Sequence, residues 1–134
     1  MNRKLFIATI VTAIYLTLFG FVAHAIVLEG MYMNMADMMR PDEAAMGLML
    51  WIYIAYILQA IVLSAFYIDR GGADGLAGGI KFGLAAGVLI GAVNLIHYAV
   101  YPYMLGVSLT LFLTTLLQYA GAGLVLALVV PKLK

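Results

Sequence analysis

The sequence contains no cysteine, so disulfide bonds, thiolate metal sites and thiol chemistry are excluded for this chain. Charged residues are also scarce, at 10% of 134 residues, where soluble domains have about 25%. Hydrophobic residues reach 66%, where about 45–50% is usual. There is too little polar surface to coat a water-soluble globule, which indicates an integral membrane protein. The net charge of +1 gives no reason to expect a nucleic-acid partner.

Groups that carry catalysis or proton transfer are missing as well. No Asp or Glu lies in the middle of an apolar run, which disfavours a proton-coupled transport pathway. No histidine or acid is expected at the same membrane depth as Ser64 or Ser108, where it could activate the serine as a nucleophile. The HExxH, GxSxG, P-loop and CxxC patterns are also absent. We therefore expect no enzymatic activity.

Four apolar runs are long enough to cross the hydrocarbon of a bilayer, which takes about 20 residues. The first resembles a signal peptide, with basic residues before it and Ala-His-Ala near its end, but it is longer than a signal core. The sequence predicts one all-α domain over residues 1–134, a polytopic antiparallel bundle of four transmembrane helices. The predicted helices are about 5–28, 44–68, 76–100 and 105–130.

Lysine and arginine set the predicted orientation. Arg3 and Lys4 precede the first run, and Lys132 and Lys134 follow the fourth, whereas four acids and only Arg40 lie in residues 29–43. Positive charge favours the cytoplasmic side. We expect both termini and the 69–74 turn in the cytoplasm of a bacterium, with the chain in its inner (plasma) membrane.

A glycine recurs at every fourth position of the third run. The stripe consists of Gly75, Gly79, Gly83, Gly87 and Gly91. Helices in lipid associate by close backbone packing, which small residues permit, so this glycine zipper predicts a tight helix contact. The contact partner is either another helix of the bundle or a second protein chain.

Two histidines are candidate ligands. If both helices run outward, His24 and His97 lie at similar depth in the outer leaflet, and Asn94 lies on the glycine stripe near His97. Facing imidazoles could ligate a haem, copper or zinc, or could simply hydrogen-bond within the bundle.

Methionines are concentrated in the connection between the first two runs. Five of them fall within nine residues: Met31, Met33, Met35, Met38 and Met39. Thioether sulfur suits Cu(I), so the segment is a candidate copper site. Methionine is also a flexible apolar filler suited to a segment lying at an interface.

Two amides lie near mid-membrane. Gln59 is in the second run and Gln118 in the fourth, and antiparallel helices could bring them together as interhelical hydrogen bonds. A transport pathway is the alternative role for these polar groups.

Three tracts, VAHAIVLEGMY, GLAGGIKFGLAAGVLIG and LLQYAGAGLVLALV, resemble a domain-of-unknown-function family of small four-helix bacterial inner-membrane proteins. In that family the third helix opens with a similar stretch rich in small residues, and Lys81 here occupies its basic position. The resemblance covers nearly the whole chain and implies the topology, but it implies no activity. The methionine-rich connection departs from the family pattern.

The sequence thus favours a non-enzymatic accessory or structural subunit that packs against a larger membrane complex or its own copies in the bilayer, with no cofactor. The first alternative is a copper- or haem-binding membrane protein that uses His24, His97 and the methionines. The second is a small transporter.

Overall fold

The computed structural model describes residues 2–70, 75–102 and 104–133, and of Asp42 only the backbone. Most of the predicted 69–74 turn and Lys134 lie outside the described residues. Regular structure within the described residues is entirely helical. The long α-helices are α1 (Arg3–Gly20), α3 (Asp42–Asp69), α4 (Gly75–Val100) and α5 (Leu105–Val129), and α2 (Glu29–Met33) is a short helix between the first two of them. A π-helical segment, Phe21–Val27, extends α1, and single 3-10 turns cover Ala36–Met38 and Val130–Lys132.

Four of these helical stretches are long and apolar enough to cross a membrane, as the sequence predicts. They cover Arg3–Val27, Glu43–Asp69, Gly75–Val100 and Leu105–Lys132. Most of their large apolar side chains point away from the protein, Leu89 and Leu117 among them. A helix that is apolar on all sides is suited to lipid or to a deeply buried position.

Local signals explain where the spans begin and end. The side-chain oxygen of Asn2 accepts a hydrogen bond of 2.8 Å from the Leu5 backbone N–H, which caps α1. Pro41 immediately precedes α3, where its fixed φ and missing N–H are tolerated. Pro102 follows α4, where proline disfavours helical backbone in the residue before it. Gly75 opens α4 with a φ of +66°, a left-handed conformation that favours glycine.

The interior lies where α1, α3 and α5 meet, and it combines small and aliphatic side chains with two buried tyrosines. Ten buried residues form it: Ala8, Leu16, Ala60, Leu63, Tyr67, Tyr119, Ala122, Leu126, Ala127 and Val130. α1 packs against both α3 and α5, while α4 packs extensively against α5. α1 and α5 therefore each pack against two of the other long helices.

Glycines produce the close contact between α4 and α5. A Cβ on Gly83 would overlap the carbonyl oxygen of Tyr119, and one on Gly79 would lie 2.5 Å from the Gly123 oxygen. Gly123 is equally restricted, since its own Cβ would overlap the Gly79 oxygen. The backbones can approach this closely because no side chain stands between them.

The contact continues along the rest of the stripe with looser spacing. A Cβ on Gly87 would lie 3.1 Å from the Leu116 Cα, and one on Gly91 would lie 3.0 Å from the Phe112 ring. Gly75 differs from the other four, because nothing lies within 4 Å of its Cβ position. Its left-handed φ accounts for the glycine there, whereas packing accounts for the others.

We predict that Gly83→Ala destabilises the protein by about 1–3 kcal/mol, the usual cost of forcing an extra group into a filled contact. The matched control is Gly47→Ala in α3, where nothing lies within 4 Å of the added Cβ. This control should leave stability unchanged or raise it slightly, since alanine is the better helix former. Thermal unfolding in detergent measures both variants, and equal melting temperatures would contradict the packing explanation.

Candidate functional site

Two consecutive polar residues of α5 tie it to different helices. The Nε2 of Gln118 donates a hydrogen bond of 3.0 Å to the backbone carbonyl of Leu16 in α1. The hydroxyl of Tyr119 donates one of 2.5 Å to Oε1 of Gln59 in α3. Successive side chains on a helix diverge by about 100°, so neighbouring residues can reach two separate helices.

The two glutamines therefore have different partners, and the sequence-based pairing of one amide with the other is not what the structure shows. Tyr119 is the partner that sequence reasoning missed. It is 2% exposed, and Gln118 is 4% exposed. A buried polar group is costly in lipid unless it is hydrogen-bonded, so these bonds make the interior positions of both amides tolerable.

Tyrosine hydroxyls also lie directly over two glycines outside the α4 stripe. A Cβ on Gly121 would overlap the Tyr15 hydroxyl, and one on Gly20 would overlap the Tyr56 hydroxyl. These contacts join α1 to α5 and to α3. The signal in the sequence was weak, because single glycines do not show a stripe.

Asn94 contributes a further link between α4 and α5. Its Nδ2 donates a hydrogen bond of 3.4 Å to Oγ1 of Thr115, and the Thr115 hydroxyl in turn donates to the Leu111 carbonyl at 2.8 Å. Asn94 is thus engaged with a neighbouring helix, at the end of the glycine contact.

Four buried hydroxyls have no hydrogen-bond partner among the described residues. They belong to Thr9, Thr12, Ser64 and Ser108. All four side chains are at most 7% exposed. Apart from isolated hydroxyl residues in apolar runs, no sequence pattern indicates them.

His24 lies in the π-helical segment that continues α1. The Leu28 N–H donates to the Ala23 carbonyl at 2.9 Å, the spacing of five residues that defines a π-turn. Nδ1 of His24 is hydrogen-bonded to the Tyr32 hydroxyl at 2.6 Å. Such a bond fixes the orientation of the ring, as it does for histidines that ligate metals.

A cavity of about 310 Å³ lies beside His24, between the end of the first span and α3. Its lining includes His24, Met49, Tyr53 and Tyr56, together with Thr17. An imidazole and a thioether are both suitable ligands for Cu(I). Met49 lies in α3, outside the methionine cluster of residues 31–39, and it lines the same cavity as His24 because α3 packs on α1.

The structure gives His97 different surroundings. Its ring contacts Tyr101 edge to face, with 5.5 Å between the ring centroids, in the last turn of α4 and just beyond it. His97 is not among the residues that line the cavity of His24. The facing pair of histidines expected from their depths is therefore not what the described contacts show.

The clustered methionines do not share one environment. Met35 is 8% exposed, whereas Met33 is 71%, Met38 51% and Met39 48% exposed. Met31 is partly buried in α2. Among the described residues, three or more His, Asp or Glu side chains do not gather into a group that could hold a metal. Copper and haem binding stay predictions.

No family model, curated protein or solved structure matches this chain. The family resemblance noted from the sequence therefore stays a prediction, and the function has to be argued from the chain itself.

We predict that Gln59 and Tyr119 are energetically coupled, while Gln59 and Gln118 are not. A double-mutant cycle with Gln59→Leu and Tyr119→Phe should give a coupling of about 0.6–1.7 kcal/mol, which runs from the average to the largest value measured for hydrogen bonds between membrane helices. The control cycle combines Gln59→Leu with Gln118→Leu and should give a coupling near zero. Unfolding in mixed micelles measures both, and a larger coupling in the control cycle would contradict the assignment of partners.

Proposed function

We propose that this chain is a non-enzymatic accessory subunit of the bacterial inner membrane, which binds a larger membrane protein assembly through its methionine-rich connection. The observation that carries the proposal is the exposure of Met33, Met38 and Met39 between the first two spans. Met46, in the first turns of α3, extends this surface with 74% exposure. We call these four residues the methionine surface.

Lipid does not account for the exposure of Met33, Met38 and Met39 as it does for the spans, whereas Met46 lies just inside the second span. Residues 29–41 lie between two membrane spans and include charged side chains. Large apolar side chains exposed outside a hydrocarbon-spanning segment are typical of interaction surfaces. Methionine is common on such surfaces, because its unbranched side chain adapts to the partner.

The connection is held in a defined shape, which a binding surface requires. Two backbone hydrogen bonds of 2.9 Å, from Met35 to Tyr32 and from Met38 to Met35, form consecutive tight turns. The Tyr32 side chain is hydrogen-bonded to His24, which fastens the connection to the first span. Met35 is buried and so anchors the segment, leaving its neighbours exposed.

The proposal includes an antiparallel arrangement with both termini in the cytoplasm. Its support is that Arg3, Lys4 and Lys132 line a common cleft of about 280 Å³, so the start of the first span and the end of the fourth meet. Along the contact between α4 and α5, residue numbers increase in α4 as they decrease in α5, from Gly79 beside Gly123 to Gly91 beside Phe112. Clustered cations favour the cytoplasmic side.

Reporter fusions test this orientation. We expect a reporter that is active only in the cytoplasm to be active at the C-terminus and inactive when inserted at Asp37. A reporter active only outside the cytoplasm should give the opposite pattern. Activity of the same reporter at both positions would contradict the proposed topology.

Paired substitutions test the binding surface. We predict that Met33→Lys with Met38→Lys releases the chain from its assembly, since burying each apolar side chain is worth about 1.5–3 kcal/mol and a charge forfeits it. Native electrophoresis after gentle solubilisation measures the size of the complex. The wild type should migrate with larger partners or with copies of itself, and a lone wild-type monomer would contradict the proposal.

The matched control is Met33→Leu with Met38→Leu, which keeps the apolar area and removes the sulfur. The complex should survive this change if the surface binds through apolar contact. Loss of the complex in the leucine variant would contradict that mechanism and would favour the copper alternative, because leucine cannot ligate a metal.

A further inference from the structure

A groove of about 540 Å³ runs along the face between α3 and α4. Its walls are apolar over most of their length, with Val62 and Phe66 on one side and Ala85 and Leu89 on the other. The groove opens toward the surroundings, because Phe66 is 61% and Leu89 77% exposed. Among the described residues that line it, Arg70 is the charged one.

Two contacts explain why the groove exists. The rings of Tyr67 and Phe82 meet edge to face, with 5.3 Å between centroids, and join α3 to α4. Deeper in the span, Gln59 accepts the hydrogen bond of Tyr119 and joins α3 to α5. The glycines of α4 bring it close to α5. α3 contacts these two helices through the side chains of Tyr67 and Gln59, and the groove lies beside those contacts.

We propose that this groove binds one anionic phospholipid, with the phosphate on Arg70 and an acyl chain between α3 and α4. The inference is independent of the proposed accessory function, which concerns the opposite end of α3.

The length of the groove matches one leaflet. At a rise of 1.5 Å per residue, the interval from Gln59 to Arg70 is about 17 Å long. Half of a hydrocarbon core about 30 Å thick is about 15 Å. The lining extends from Leu58 to Arg70 in α3 and from Phe82 to Ile90 in α4, so the groove has the length of one acyl chain in one leaflet.

The charge at the groove end selects the headgroup. Arg70 directly follows the membrane-spanning part of α3, so its guanidinium belongs to the headgroup layer, where it can form paired hydrogen bonds to a phosphate. The adjacent Asp69 lines a different cleft, beside Asn2 and Leu5. An anionic lipid therefore meets the positive charge of Arg70 at the rim and apolar side chains below.

Native mass spectrometry of the purified, delipidated full chain tests the proposal, with dioleoyl phosphatidylglycerol and dioleoyl phosphatidylcholine as probes. We expect the wild type to retain one phosphatidylglycerol about fivefold more strongly than phosphatidylcholine, the effect of one cation at the surface. Arg70→Gln should abolish this preference. The charge control, Lys132→Gln, removes a cation from another cleft and should keep it.

A second pair of variants tests the groove itself. Ala85→Trp fills it with a ring and should lose the adducts of both lipids, whereas Leu113→Trp, at an exposed position of α5, should keep them. Equal retention of the two lipids by the wild type, or an unchanged preference in Arg70→Gln, would overturn the proposal. So would a co-purifying polypeptide that Ala85→Trp removes, since the groove would then hold a partner helix.

Discussion

The structure depends on the stretch of α5 from Leu116 to Gly123, which touches all three other spans. Gln118 bonds to the α1 backbone, Tyr119 to Gln59 of α3, and Gly123 lies against Gly79 of α4. These contacts are compatible because helix geometry turns successive residues to different sides. In lipid, where apolar burial contributes little to helix association, such close contacts and hydrogen bonds determine which helices meet.

The same constraint shapes the parts of the molecule that are available for binding. α4 packs against α5 along its glycines, and α1 packs against both α3 and α5. α3 is the least covered span, since only 11% of its most apolar 18-residue stretch is buried. One end of α3 continues from the methionine surface, and the other end forms the groove that ends at Arg70. The two proposed binding regions thus lie at opposite ends of one weakly packed helix.

Several elements could be predicted from the sequence, because the bilayer imposes them directly. Span length and apolarity follow from the thickness of the hydrocarbon, and the prediction of four helices long and apolar enough to cross a membrane is confirmed. The partners of Gln59 and the surroundings of His24 could not be predicted in this way. A helix that is apolar on every side carries no pattern to show which face turns inward, so the pairing of Gln59 with Tyr119 and of His24 with Tyr32 depends on helix rotation.

By itself, the sequence determined that this is an all-helical chain with four segments able to cross a membrane, because composition and run length decide that without any knowledge of packing. It also placed glycines at the spacing of a helix face. The tertiary structure alone decided that four of them lie against α5 while Gly75 serves a left-handed turn. It also separated the surroundings of His24 from those of His97. Both outcomes depend on which helix lies beside which, a choice governed by contacts between residues far apart in the chain.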